Sequence, residues 1–375
     1  MKTVYLIYTK YYDFDNCKLT IGGVQTYIKG LGEVCQEMGF LCKVYQTGES
    51  TKEVALENGI CVYQVNTKDK KKRKQKIQLV VNQIMKEYND EEDLLIFLAN
   101  EITCENTASR TIALQHGISW DYLYDKPLSK LRNAIHYALK SKNSFKLIKN
   151  LNHVKCLVCV DYNFPNWVRS TAIKCDTTLK VIPNFTPIAP AFEKPTDRIN
   201  IIFARRFFPF RGTRIFGPAI ANILAKYDNV YVTIAGDGPD EEYLRDMVKD
   251  YSNRVTFIKY SAEEALAIHA DKHIALVPTI GSEGTSLSCL EAMSAQCAVI
   301  CTDAGGLSNI VLDGFNGLYT ERTAQDLEDK IGYLINNPNE RKKIAENGFN
   351  VIKQGFSFEI WKQRWKQIIA EITNK

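Results

Sequence analysis

Short apolar runs of strand length recur along this chain with amphipathic stretches between them, the pattern of parallel sheets covered by helices on both faces. The first series reads TVYLIY (3–8), LCKVYQ (41–46), LLIFLA (94–99), TIALQ (111–115), CLVCV (156–160) and KVIP (180–183). The second reads INIIFA (199–204), VYVTIAG (230–236), RVTFI (254–258), IALVP (274–278), CAVICT (297–302) and GLYT (317–320). Between them the periodicity lapses at NFTPIAPAFEKPTDR (184–198), where three prolines among polar residues predict a linker. Two successive α/β domains are therefore expected, and a length of 375 residues favours two cores over one. The last segment, FSFEIWKQRWKQIIAEITNK, places Ile360, Trp361, Trp365, Ile368 and Ile369 on neighbouring helical turns without a strand to follow.

The longest apolar runs fall far short of the ~20 residues that span a bilayer. The N-terminal MKTVYLIYTKYY lacks the apolar core and cleavage site of a secretory signal. A cytoplasmic protein is expected. Its eleven cysteines are odd in number and several lie in strand-like runs, so they read as reduced, buried thiols. Cys156 and Cys159 form a C-x-x-C inside such a run, where residues three apart face opposite sides of a sheet, and no metal or redox role is expected of them.

A net charge of +5 is modest, but it is unevenly spread. Residues 70–76 read KKKRKQK, and 126–149 carry Lys126, Lys130, Arg132, Lys140, Lys142, Lys146 and Lys149 with no acid. Leu131, Ile135, Leu139, Leu147 and Ile148 are interleaved with them and could give a helix one basic and one oily face. Two readings stay open: a solvated helix face, or a surface for an anionic membrane or acceptor. Nucleic acid is not an expected partner, because no binding motif accompanies the charge.

Open parallel sheets bind ligands beyond the carboxyl ends of their strands. The run IALVP leads there into TIGSEGTSLSCLEAM, which puts Glu283 on a loop and starts a helix near 284–286. Gly284 allows close backbone approach, and the N–H groups of Thr285, Ser286 and Leu287 would form an anion seat at the helix N-terminus. Glu291 follows eight positions later, at most ~12 Å along a helix, about the reach from a sugar across a diphosphate to a ribose. The competing reading is an ordinary helix with one acid near its start and a second, exposed one.

The stretch FARRFFPFRG supplies Arg206 and Arg211 after another strand, two cations suited to a departing nucleoside diphosphate. Gly22 and Gly23 open the first helix and would admit a phosphate or sugar. His116 lies just beyond a strand of the same domain.

With these residues placed, the whole chain resembles the family-4 retaining glycosyltransferases of the GT-B fold. The motifs are the E-x7-E of EGTSLSCLE, GGLSNIVLDGFNGLY (305–319), GGVQTY, the HG after a strand, IPN (182–184), the R-x4-R-G of RFFPFRG, and GDGP beginning at Gly236. The resemblance implies two Rossmann-like domains facing across a cleft. An acceptor-binding domain would span 1–184, completed by the helix of 357–375 crossing back to it, and a donor-binding domain 185–356. It further implies Glu283 and His116 at the donor sugar, Glu291 at the ribose, Arg206 and Arg211 at the diphosphate, and Gly22, Gly23, Gly236 and Gly284 near the donor. Arg211 stands where lysine is commoner. Gln296 and Ala298 replace a common glycine and proline, and Asn309 replaces a frequent glutamate.

The activity so implied is transfer of a hexose-type sugar, with retained configuration, from a nucleotide diphosphate sugar to a hydroxyl. The acceptor would be a glycan or lipid-linked molecule, as in bacterial surface polysaccharide synthesis, with docking at the inner face of the plasma membrane through 126–149. No cofactor is expected. The arginines and helix amides would meet the phosphate charge, and the one D-x-D, Asp13 to Asp15, lies in the first strand-to-helix loop. Two alternatives share the architecture: a sugar-nucleotide epimerase, active without an acceptor, and a non-catalytic glycan- or nucleotide-binding protein.

Overall fold

In the computed structural model the described residues are 2–20, 22–118, 130–172, 174–190, 192–281 and 283–373. The first half begins with β1 (Thr3–Ile7), an antiparallel hairpin of β2 (Tyr12–Asp13) and β3 (Lys18–Leu19), and helix α1 (Gly23–Glu37). There follow β4 (Leu41–Gly48), β5 (Lys52–Ala55), β6 (Ile60–Asn66), α2 (Arg73–Ile84), β7 (Leu94–Phe97) and β8 (Thr111–Gln115). α3 (Lys130–Leu151), β9 (Cys156–Cys159), α4 (Asn163–Ser170) and β10 (Thr178–Val181) complete it. Among the described residues the strands form one sheet in the order β10-β9-β8-β7-β1-β4-β6-β5, parallel except for β5. Every residue of β1, β7, β8 and β9 is buried, as strands covered on both faces require.

The sequence reading placed no strand between residues 47 and 93, yet β5 and β6 lie there as an antiparallel hairpin. Its signal is the Asn58-Gly59 pair. Gly59 takes φ 75°, the left-handed conformation that tight hairpin turns need.

The second half runs β11 (Ile199–Ala204), α5 (Thr213–Lys226), β12 (Val230–Ala235), α6 (Glu241–Met247), β13 (Val255–Ile258), α7 (Ala265–His269) and β14 (Ile274–Val277). α8 (Leu287–Ser294), β15 (Ala298–Cys301), β16 (Leu318–Tyr319), α9 (Ala324–Asn336) and α10 (Pro338–Val351) follow. Its sheet is parallel, in the order β13-β12-β11-β14-β15-β16. Successive residues of β11 feed two cores, Ile201 and Phe203 packing with Phe216, Ile220 and Leu244, Ile202 and Ala204 with Leu290, Met293 and Ile352. The chain leaves β11 toward β12 on one side and returns to β14 on the other. The topological switch point therefore lies between the ends of β11 and β14, where open α/β sheets bind ligands.

The last helix, α11 (Phe358–Thr373), begins in the second unit. By backbone contacts one unit runs from the N-terminus to His116, on from α3 to Ile182, and again from Trp361, while the other runs from Pro183 to Ile360. The helix thus completes the first unit. Trp361 and Trp365 are buried against Tyr27 of α1, whose hydroxyl accepts Trp365 Nε1–H at 3.0 Å, and Lys362 pairs with Glu37 at 2.8 Å.

The expected two-faced helix over 126–149 is divided lengthwise instead. In α3, Leu147 and Ile148 are buried, whereas Ile135 and Leu139 are exposed. Lys126 and the side chains of Lys130 and Leu131 lie outside the described residues. No helix among the described residues is long and apolar enough to cross a membrane. All eleven cysteines are free thiols, Cys156 and Cys159 buried in β9.

Candidate active site

The loops after β11 and β14 meet at the switch point of the second sheet, and they bring three ionised groups together. Nη2 of Arg205 and Nη1 of Arg211 both donate to Glu283 Oε2, and the Thr279 hydroxyl reaches the same oxygen at 3.1 Å. Arg205 also donates through Nη1 to Ser288 Oγ at 3.2 Å. Burial pushes the Glu283 carboxyl up, but the guanidiniums of Arg205 and Arg211 outweigh it and hold the group below its usual range. Glu283 is therefore ionised at neutral pH. Desolvation draws Arg211 down to about 10, which leaves it charged.

Glycines let these loops approach. A Cβ on Gly212, at φ 87°, would lie 1.9 Å from Pro278 O, and one on Gly236, at φ 138°, 2.0 Å from Arg205 O. Gly236, expected near the donor, thus serves here in packing its loop on the Arg205 backbone. Gly306 donates its N–H to Glu283 O at 2.9 Å, and its Cβ would lie 2.4 Å from Gly284 O. Both contacts are with backbone, which cannot yield by turning a rotamer. Gly306→Ala is therefore expected to cost about 1–3 kcal/mol of stability, and to lower activity further by displacing Glu283. Melting temperature and turnover of the variant check this.

α8 starts one turn-position later than the sequence reading supposed. Ser286 is its N-cap and Leu287 its first residue, so the amides without helical acceptors are those of Leu287, Ser288 and Cys289 rather than of Thr285 to Leu287. The Thr285 carbonyl accepts from Asn184 Nδ2 at 2.9 Å, a tie from the IPN segment. Glu291 sits on α8, and among the described residues no donor reaches its carboxylate. Burial pushes that carboxyl up to about 7, with Arg205 opposing.

A carboxyl whose folded value exceeds its unfolded value of 4.5 binds its proton more tightly in the folded state. Its stabilising contribution is complete below 4.5 and is lost as pH rises to about 7. Glu291→Gln is expected to remove that part of the pH dependence and to melt above wild type at about pH 8, which thermal unfolding across pH reads directly.

Arg206 is exposed with its guanidinium 5.7 Å from the Phe208 ring centre, and it does not join Glu283. Its neighbour Arg205, which the sequence reading passed over, does. In the first unit Gly22 is the N-cap of α1 and Gly23 its first residue. His116 follows β8, its Nε2 2.9 Å from Leu98 O and its ring edge-on to Tyr27 at 5.5 Å. A carbonyl only accepts, so Nε2 carries the proton and Nδ1 is an acceptor. Burial lowers the His116 pKa and keeps it neutral. Asp13 and Asp15 pair with Lys10 at 3.1 Å and Lys52 at 3.2 Å.

Two parallel-sheet Rossmann-like domains, with the terminal helix returned to the first, make this the GT-B fold of glycosyltransferases. Residues 184–351 match the model of the family "Glycosyl transferases group 1", and all of the Arg205, Arg211, Glu283 and Glu291 constellation falls within them. An uncharacterised glycosyltransferase of Methanocaldococcus jannaschii, MJ1069, is 27% identical over 193 residues, 48% of this chain and 47% of that protein. The lipopolysaccharide 1,2-N-acetylglucosaminetransferase of Salmonella typhimurium is 26% identical over 185 residues, 46% of this chain and 48% of that protein. The chain spans about half the length of these curated relatives. Among solved structures, Anabaena Alr3699/HepE in complex with UDP-glucose superposes with a TM-score of 0.71 at 17% identity, over 99% of this chain and 100% of that one.

Proposed function

We propose that the protein is a glycosyltransferase that moves a hexose-type sugar from a nucleotide diphosphate sugar to a hydroxyl of a glycan or lipid-linked acceptor, with retained anomeric configuration. The observation that carries this reading is the ionised Glu283 clamped by two guanidiniums at the switch point, beside the N-terminus of α8. A carboxylate suits sugar hydroxyls. The cations and the helix amides suit a diphosphate. In the transfer the bond from C1 to the departing phosphate oxygen breaks, the acceptor oxygen bonds to C1 on the same face, and the leaving phosphate takes the acceptor proton. Arg206 and Arg211 would meet the charge that grows on the diphosphate, so activity is expected without a divalent ion. Glu283 would orient the sugar, Glu291 would accept from the ribose hydroxyls, and His116 offers Nδ1 to a sugar hydroxyl.

The similarity to a lipopolysaccharide N-acetylglucosaminetransferase and to a structure holding UDP-glucose supports a role in bacterial surface polysaccharide synthesis with a UDP-sugar donor. A thermal-shift screen of UDP-, GDP- and dTDP-sugars tests it, since a bound donor raises melting temperature by mass action. Transfer in excess chelator, with product configuration read by NMR, then tests metal independence and retention. Turnover of the donor to its epimer without acceptor would instead favour the epimerase reading.

The acid-free helix α3, with Ile135, Tyr137 and Leu139 exposed beside Lys140 and Lys142, supports docking on an anionic inner leaflet. Reversing the charge of Lys140, Lys142 and Lys146 is expected to lower binding to phosphatidylserine vesicles at least about tenfold, each lysine near the surface being worth ~1 kcal/mol. Unchanged co-sedimentation rejects the docking.

A further inference from the structure

We propose that Arg205 is a positioning residue for Glu283, the fixed cation that keeps the carboxylate ionised and aimed when the diphosphate engages Arg211; this rests on the transfer reading above. The two arginines that share Glu283 Oε2 are not equivalent. The Arg205 side chain is 4% exposed and braced between Glu283 and Ser288, and its backbone is locked by its N–H bond to Ala235 O at 2.9 Å. Arg211 is 16% exposed, on the short loop that ends at Gly212, with its guanidinium over the Phe210 ring. An arriving diphosphate can recruit Arg211, which has a solvent-facing edge. It has much poorer access to Arg205.

The hydrogen-bond census points the same way. Both guanidiniums and Thr279 take Oε2, and among the described residues none donates to Oε1, which leaves that oxygen for hydroxyls of the transferred sugar. Among the described residues none partners the buried Arg205 Nε. Two cations on one carboxylate also leave a net positive charge for the diphosphate. Arg205 thus lets one cation be diverted without leaving Glu283 bare.

The experiment compares wild type, Arg205→Met, Arg205→Lys and Glu283→Gln, with UDP as the sugar-free probe and UDP-glucose, GDP-mannose and dTDP-glucose as sugar probes. Arg205→Met is expected to bind the nucleoside diphosphate within about threefold of wild type, because Arg206, Arg211 and α8 remain. Its kcat is expected to fall at least about tenfold, and the acid limb of kcat/KM to move up by about one pH unit. Arg205→Lys, which keeps the charge, is expected to bring the limb back. A Met variant with an unmoved limb, or a Lys variant no better than Met, overturns the proposal.

If wild type neither binds nor turns over any of these sugars, the transfer reading fails by itself, and thermal unfolding across pH decides the pairing. The stabilising contribution of Glu283, whose folded carboxyl lies below its usual value, is present above 4.5 and lost as pH falls through the folded value. Arg205→Met is expected to move that folded value back toward 4.5 and so to shrink the loss on acidification, measured as the effect of Glu283→Gln on Arg205→Met against its effect on wild type, which cancels other groups. Absence of that difference overturns the pairing.

Discussion

Glu283→Gln is expected to lower glycosyl transfer at least about a hundredfold, which corresponds to ~2.7 kcal/mol of lost transition-state stabilisation. It is expected to leave affinity for the free nucleoside diphosphate unchanged or tighter. The two halves of this result have one cause. Glutamine keeps the shape of the side chain and one acceptor, but it removes the charge that two guanidiniums now share. Hydrogen bonds to a charged group are worth ~1.5–3 kcal/mol, and a neutral amide oxygen cannot replace them at a centre that gains positive character as the glycosidic bond breaks. The same loss frees Arg211 for the diphosphate. Folding suffers too, because removing one member of a buried ion pair costs about 3–5 kcal/mol, less whatever the amide recovers. Calorimetric titration with UDP separates these effects from simple unfolding: a folded variant that binds UDP and does not transfer carries the assignment, and one that transfers at the wild-type rate ends it.

Much of this arrangement was legible in the chain because fully buried parallel strands must be continuous apolar runs. β1, β7, β8, β11 and β14 stand where those runs stand, with ends differing by at most two residues. Gln296 is a second legible point. It stands where the resembled family commonly has glycine, and the residue holds φ 56°, a left-handed conformation that glycine takes without cost. What escaped the sequence has equally physical reasons. β5 is largely exposed and carries Lys52 and Glu53 among its four residues, so no apolar run announced it, whereas β6 does hold the run ICVYQV, which the sequence reading passed over, and Asn58-Gly59 marked their turn. Arg205 and Arg206 are adjacent and chemically identical in sequence. Which of them turns inward depends on the exit from β11 and on the close approach of Gly236 to the Arg205 backbone, neither of which a linear pattern encodes. The start of α8 was displaced because Gly284, Thr285 and Ser286 are all plausible at a helix entry, and only the backbone decides that Ser286 is the N-cap.

Trp365→Ala is expected to destabilise the first unit by about 3–5 kcal/mol, the cost of deleting a buried aromatic side chain from a core that cannot collapse around the gap. Trp365 is fully buried, and its indole N–H donates to the Tyr27 hydroxyl at 3.0 Å. The loss therefore combines a cavity with the loss of one hydrogen bond to a buried hydroxyl on α1. Lys362 and Lys366 both pair with Glu37, but these contacts are partly exposed and add little to hold α11 in place. Trp365→Phe, which retains most of the ring packing and loses only the donor, is expected to cost about 1–3 kcal/mol. Because the chain folds as two units, a single melting temperature is a poor readout, and hydrogen exchange resolves the effect by segment. Protection is expected to fall in α11 and α1 and to persist in β11, β12 and β14. Tyr27 also packs edge-on against His116, so the loosening is expected to reach that histidine and raise its depressed pKa as water gains access. An NMR titration of His116 in Trp365→Ala that matches wild type would show that the terminal helix stabilises the first unit without positioning the histidine.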